Sequence, residues 1–171
     1  MRLPRLSPRL CPIAVAGALL LAGCANGSPQ NGAAGFLEEH SRAITNLAQM
    51  THAVAAEVGR LAGTGTSSQL TQLARAAGET HDYAVKASEW DIPGGGQEGA
   101  EEEDVPRATS QVTEGAGEVA KAMAYLKSYA STPRTLALRH YKGRLANARI
   151  EWNEGIAQLY YLAHRSHAPT L

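Results

Sequence analysis

Four side chains are candidates for ligand or metal binding, because they combine donor atoms with aromatic surface: His40, His81, Tyr141 and Trp152. His40 falls on the apolar stripe of the first helical pattern in the chain, and His81 borders the stripe of the second. Imidazoles that converge between two helices are suitable ligands for a transition metal. The other interpretation is a partly buried histidine with an ordinary hydrogen-bond partner, and the sequence leaves both open.

The tyrosines and Trp152 favour a second kind of site, a small pocket inside a helical bundle. Tyrosine and tryptophan join a large apolar ring to a polar group, and both are frequent at binding interfaces. Tyr125 and Tyr129 are four residues apart, so they line one side of a helix. Such residues are also common at the edge of an ordinary core, so the sequence leaves both interpretations open.

No catalytic or cofactor-binding motif occurs in the sequence. A di-iron bundle needs Glu-x-x-His pairs and a c-type haem needs Cys-x-x-Cys-His, and the chain has neither. The Gly-x-Ser-x-Gly elbow, the His-Glu-x-x-His motif and the phosphate-binding loop are absent as well. The acidic run over residues 101–104 lacks the alternating oxygen ligands of a calcium loop. We therefore predict a protein that is not an enzyme, with no cofactor and no assignable metal site.

A different chemistry is indicated near the N-terminus. A head that contains three arginines precedes an apolar run over residues 10–22, which is the layout of an export signal. The residues that close this run resemble the lipobox of bacterial lipoproteins: Leu21, Ala22, Gly23 and Cys24. The resemblance implies cleavage between Gly23 and Cys24 and a diacylglycerol group on the Cys24 sulfur.

The resemblance also predicts where the protein works: lipid-anchored at the extracytoplasmic face of the cell membrane or the outer membrane. The apolar run is shorter than the roughly 20 residues of a spanning helix. An uncleaved anchor helix and an ordinary secretory signal with an incidental cysteine are the alternatives. The membrane is the expected partner, through Cys24, and an envelope protein is a further one. Nucleic acid is not expected, because removal of the three signal arginines leaves 13 basic residues against 16 acidic ones.

The chain divides into four parts. Residues 1–23 form the predicted signal peptide, and residues 24–35, which contain Asn, Gly, Ser, Pro and Gln without periodicity, form a flexible tether. Residues 36–165 form one helical domain, and residues 166–171 form a tail. Since Cys11 lies in the signal and Cys24 carries lipid, we expect no disulfide in the domain.

Apolar residues recur at spacings of three and four in four segments, which predicts an all-α fold. The helices are expected at about residues 36–62, 67–88, 105–130 and 133–165, with an acidic, glycine-rich loop over residues 91–104. Short connections favour an antiparallel up-down-up-down four-helix bundle. The alternative is a three-helix arrangement with the second helix detached, since its apolar face is the weakest.

Local signals predict where the helices begin and which faces they use. We expect Ser67 or Ser68 to cap the second helix, Asp104 the third and Thr132 the fourth. Gly115 and Gly117 are expected to mark a close contact, with the alanine face of the second helix as the suggested neighbour.

Six basic residues make one side of the last helix positive. We expect this side to be solvated, to meet anionic lipid headgroups or to pair with the acidic loop of the same chain. The residues are Arg134, Arg139, Lys142, Arg144, Arg149 and Arg165.

Taken together, these features predict a membrane-anchored, extracytoplasmic helical module that interacts with a protein or another envelope component and is not an enzyme. The alternative is a sensor or carrier that binds a metal or small ligand through the histidines and tyrosines of the bundle. The two hypotheses differ in whether donor side chains converge at one place.

Overall fold

The computed structural model describes residues 32–61, 65–93, 101–165 and 167–171, without the side chains of residues 101 and 102. The described residues form four helices and no strand: α1 Ala33–Leu61, α2 Ser67–Ser88, α3 Glu101–Ser131 and α4 Thr135–Leu162. This confirms the all-α, four-helix prediction. None of these helices is both long and apolar enough to cross a bilayer. The predicted signal, Cys24 and most of the tether and acidic loop lie outside the described residues.

Successive helices run antiparallel and close into a ring of four. The start of α1 meets the end of α2, where the ring of His40 stacks on that of Trp90, two residues after α2, with ring centroids 4.3 Å apart. Tyr125 near the end of α3 stacks on His140 near the start of α4, with ring centroids 5.0 Å apart. Each helix packs against two others, α1 against α2 and α4, and α3 against α2 and α4. The second helix is therefore part of the bundle and not detached.

The core follows the predicted stripes. Leu37, Ile44 and Leu47 of α1 are fully buried, as are Trp152 and Ile156 of α4. Burying a side chain of this size stabilises a fold by roughly 1.5–3 kcal/mol relative to leaving it in water. The apolar spacing in the sequence therefore places the main contacts on the correct face of each helix.

Two glycines bring α3 and α4 into backbone contact. A Cβ atom at Gly115 would lie 2.7 Å from the backbone nitrogen of Trp152, and one at Gly155 would lie 2.6 Å from the Ala108 carbonyl oxygen. Gly115 therefore faces α4 and not α2, so the suggested neighbour was wrong. Gly117 does face α2: a Cβ atom there would lie 3.8 Å from the Ser88 Cβ, which is an ordinary van der Waals distance. The glycine spacing indicated a close contact, but the sequence does not state which helix supplies the other side.

The N-cap of α2 is Thr66, one residue before the predicted serines. Its Oγ1 accepts a hydrogen bond from the Gln69 backbone N–H at 3.3 Å, and the Gln69 side chain accepts one from the Thr66 N–H at 2.8 Å. This is a capping box, which satisfies two backbone donors at once. The cap prediction was wrong by one position because it did not use Gln69, three residues after the true cap.

The starts of α3 and α4 also differ from the prediction. Helix α3 begins at Glu101, so Asp104 lies inside it and pairs with Arg107 at 2.8 Å. Glutamate is a good helix former and is favourable in a first turn, so the helix starts three residues before the expected cap. Helix α4 begins at Thr135, with Arg134 as N-cap and no capping side chain. The first helical hydrogen bonds run to the Arg134 carbonyl oxygen, from the Ala137 N–H at 3.0 Å and the Leu138 N–H at 3.4 Å, so Thr132 lies before the helix and does not cap it.

The last described segment folds back onto the bundle. His164, two residues after α4, has a positive φ of 52°, and the Arg165 N–H donates to the Tyr160 carbonyl oxygen at 2.8 Å. Beyond this turn the Leu171 backbone N–H donates to Asn153 Oδ1 at 2.9 Å, and Leu171 is buried. Residues 167–171 therefore pack against α4 as an ordered strap.

Candidate functional site

A cleft of about 450 Å³ opens where α1 begins and α2 ends. Three rings form its apolar wall. The imidazole of His40 stacks on the indole of Trp90 with centroids 4.3 Å apart and planes 14° from parallel. Phe36 meets Trp90 edge-on at 5.9 Å and His40 at 4.6 Å. Of the four candidates taken from the sequence, His40 is the one that lines this cleft.

The local fold explains how these rings meet. Phe36 and His40 are four residues apart in the first turns of α1, so both lie on the side that faces α2. Helix α2 stops at Ser88, and the Glu89 N–H donates back to the Lys86 carbonyl oxygen at 3.3 Å. The turn at this C-cap places Trp90 across the start of α1. An apolar residue just after a helix end commonly packs back in this way.

Carboxylates supply the polar side of the cleft. Glu39, Glu89 and Asp91 line it beside the three rings. Burial lowers the pKa of His40, and the nearby Glu39 and Asp91 charges oppose this without cancelling it. The imidazole is therefore neutral at pH 7, so the cleft presents negative charge and aromatic surface together. Positively charged groups bind well to such a lining, because ring faces and carboxylates both attract cations.

The other three candidate residues do not lie in the cleft. His81 is on α2 more than two turns before Trp90, and its Nδ1 lies 3.0 Å from Asp82 Oδ1. This hydrogen bond lowers the pKa of Asp82. Within the described ranges no three His, Cys, Asp or Glu side chains are grouped as metal ligands. His40 lines the cleft and His81 does not, so the structure does not bring the two histidines into one site.

Tyr141 and Trp152 belong to the core and line no cavity near His40. Both are almost completely buried on the inner face of α4. The Tyr141 hydroxyl and the Trp152 Nε1 are buried without a hydrogen-bond partner among the described residues. These two side chains fill the interior instead of forming the suggested pocket.

Replacement of Tyr141 by phenylalanine is expected to stabilise the bundle by about 1 kcal/mol at pH 7, because it removes a buried hydroxyl without a partner. Burial raises the pKa of Tyr141 to about 12, against about 10 in an unfolded chain. The wild type should therefore lose stability between about pH 10 and pH 12, since the unfolded state ionises first. Urea denaturation across this range should show the loss in the wild type and not in Tyr141→Phe.

Tyr161→Phe is the matched control, because this tyrosine is 75% exposed. We expect it to follow the wild type at every pH. An alkaline loss of the same size in Tyr141→Phe would contradict the assignment of that loss to the buried hydroxyl.

The basic side of α4 meets α3 at one point. Arg144 Nη1 donates to Glu118 Oε2 at 2.9 Å, and Lys121 Nζ donates to the other Glu118 oxygen at 2.7 Å. Burial raises the pKa of Glu118, but the two hydrogen bonds outweigh it and the net pKa is lowered. Arg144 thus pairs with a carboxylate on α3. This pairing was not anticipated, because the basic side was expected to meet solvent, lipid or the acidic loop.

Sequence reasoning found His40 but missed Phe36 and Trp90. The available signal was an isolated tryptophan directly after the predicted end of α2, next to Asp91. Comparison of the chain with protein-family models, with curated proteins and with solved structures finds no match. The cleft is therefore defined by its own geometry.

Proposed function

We propose that the chain is an extracytoplasmic lipoprotein, held at the membrane by lipid on Cys24, whose helical bundle is a non-enzymatic interaction module. The support for the anchor is the export-signal layout that ends at Cys24. Helix α1 begins at Ala33, so the intervening chain spans at most about 30 Å when fully extended. On this proposal the domain works within a short distance of the membrane surface.

The observation that carries the binding role is the cleft at the start of α1. It joins the ring wall of Phe36, His40 and Trp90 to the carboxylates of Glu39 and Asp91. A cation over the face of Trp90 or Phe36 gains about 0.5–2 kcal/mol, and the carboxylates add to this. The partner proposed for the cleft is an envelope component with an ammonium or guanidinium group.

A fluorescence titration tests this role. The chain has two tryptophans, and Trp152 is buried in the core, so Trp152→Phe leaves Trp90 as the sole reporter. Tetramethylammonium and a lysine-rich peptide are the probes. We expect a saturable change in Trp90 emission with at least one probe, and a several-fold weaker response when Glu39→Gln and Asp91→Asn are added.

Sodium at the same ionic strength is the control, and it should not reproduce the change. Unaltered Trp90 emission with both probes up to millimolar concentrations would contradict a cationic partner for the cleft. Mass spectrometry of the protein from native membranes tests the anchor separately. The expected N-terminus is Cys24 with an added lipid mass.

A further inference from the structure

Helix α4 has a second apolar side that no described part of the chain covers. Leu136, Ile150 and Tyr161 are each more than half exposed, and they are three of the four large apolar side chains exposed among the described residues. Leu136 and Ile150 are fourteen residues apart, with exposed Gly143 midway and exposed Ala157 seven further on. A seven-residue spacing keeps side chains on one face of a helix. This face is opposite the buried side that carries Trp152.

Gly143 lies at the middle of this face and has no role inside the bundle. A Cβ atom there would meet nothing within 4 Å, whereas Gly115 and Gly155 are required by backbone contacts with neighbouring helices. Glycine in a helix interior is unfavourable relative to alanine. Its other structural use is to let a second backbone or a large side chain approach closely.

The charges along this face are self-complementary. Arg139 lies near the beginning of α4 and Glu154 near its end, and both are exposed on the same side as Ile150. Neither makes an ion pair with another described residue. If a second α4 lies antiparallel to the first, the basic half of each helix faces the acidic half of the other.

We propose that two copies of this chain associate through α4, antiparallel, about a two-fold axis between Ala146 and Asn147. This register places Gly143 opposite Ile150 of the second copy, so that a large side chain fills the space above a glycine. It also places Arg139 opposite Glu154 of the second copy. Each contact occurs twice, as a symmetric homodimer requires.

The position of the face is consistent with such a dimer. Helix α4 from Thr135 to Leu162 is about 40 Å long, so the contact can extend along the whole helix. The cleft with His40 lies at the start of α1 and uses no residue of this face. The dimer therefore leaves the cleft open, and it does not depend on the lipid anchor.

Sedimentation equilibrium of the full chain in density-matched detergent tests the association. The wild type is expected at twice the monomer mass. Gly143→Leu should shift it to monomer, with a Kd raised about a hundredfold or more, because the overpacked contact occurs twice. The same substitution should not lower the Tm of the monomer, since nothing in the chain occupies that space and leucine is the better helix former.

Gly59→Leu is the matched control, because Gly59 is a second exposed helical glycine with open space around it. It should leave the mass at that of the dimer. A monomeric wild type, or a dimer that persists in Gly143→Leu, overturns the proposal.

Charge exchange tests the antiparallel register. Arg139→Glu and Glu154→Arg should each weaken the dimer several-fold, because each creates two like-charge contacts. The double variant should recover most of the wild-type affinity, since the pair is restored with reversed signs. A double variant as weak as the sum of the single ones overturns this register, and with it the proposed dimer.

Discussion

A Gly155→Ala variant is expected to lose about 3 kcal/mol of folding stability, which is the upper part of the range for overpacking a core. The added methyl group would lie 2.6 Å from the Ala108 carbonyl oxygen and 2.9 Å from the Val112 backbone nitrogen. Backbone atoms cannot rotate away as a side chain does. The variant can therefore fold only if α3 and α4 separate where they now pack most closely. Urea denaturation followed by circular dichroism measures the loss.

Gly78→Ala is the matched control for this substitution. Gly78 is also inside a helix, but a Cβ atom there would meet only the flexible Lys127 side chain, at 3.8 Å. We expect it to stabilise the bundle by up to about 1 kcal/mol, because alanine is the better helix former. If Gly155→Ala and Gly78→Ala unfold at the same urea concentration, the backbone contact between α3 and α4 is not as close as described.

Replacement of Cys24 by serine is expected to release the whole protein from the membrane fraction. Acyl chains contribute about 0.8 kcal/mol for each buried methylene group, and a serine hydroxyl cannot form the thioether that carries them. Fractionation of cells that express the variant, followed by immunoblotting, measures the change.

Cys11→Ser is the control for Cys24→Ser, because Cys11 is the other cysteine of the chain and lies within the proposed signal. We expect the Cys11 variant to remain in the membrane fraction and to mature as the wild type does. Retention of Cys24→Ser in the membrane with a normal mature mass would contradict the lipoprotein proposal. If the wild-type protein from the membrane still begins at Met1, this result would favour the uncleaved anchor helix.

The sequence was sufficient to predict the helices and their inner faces. The bounds of α2 match the prediction at both ends, residues 67–88, because glycines precede it and the Pro93 segment follows it. Spacing of three and four identifies buried positions such as Ile44 and Ile156 directly. These features depend on residues that are close in sequence, and local preferences decide them.

The candidate site was predicted only in part, for a physical reason. Helical periodicity places His40 on an inner face, but it does not say that Trp90, fifty residues later, turns back across it. The same limit applies to Gly115, whose spacing indicates a close approach and not the helix that approaches. Tyr141 and Trp152 are suitable for a pocket by residue type, yet the packing of the interior makes them core residues.

The backbone contact between α3 and α4 also determines the order in which the domain would yield to a pulling force. The chain towards Cys24 leaves from the start of α1, whereas Gly115 and Gly155, which bring two backbones together, lie in α3 and α4. On the proposed anchor at Cys24, tension on this end of the chain would therefore unwind the first turns of α1 before it separated α3 from α4. Phe36 and His40 lie in those turns, so mechanical strain would open the ring wall around Trp90 while the rest of the domain kept its shape.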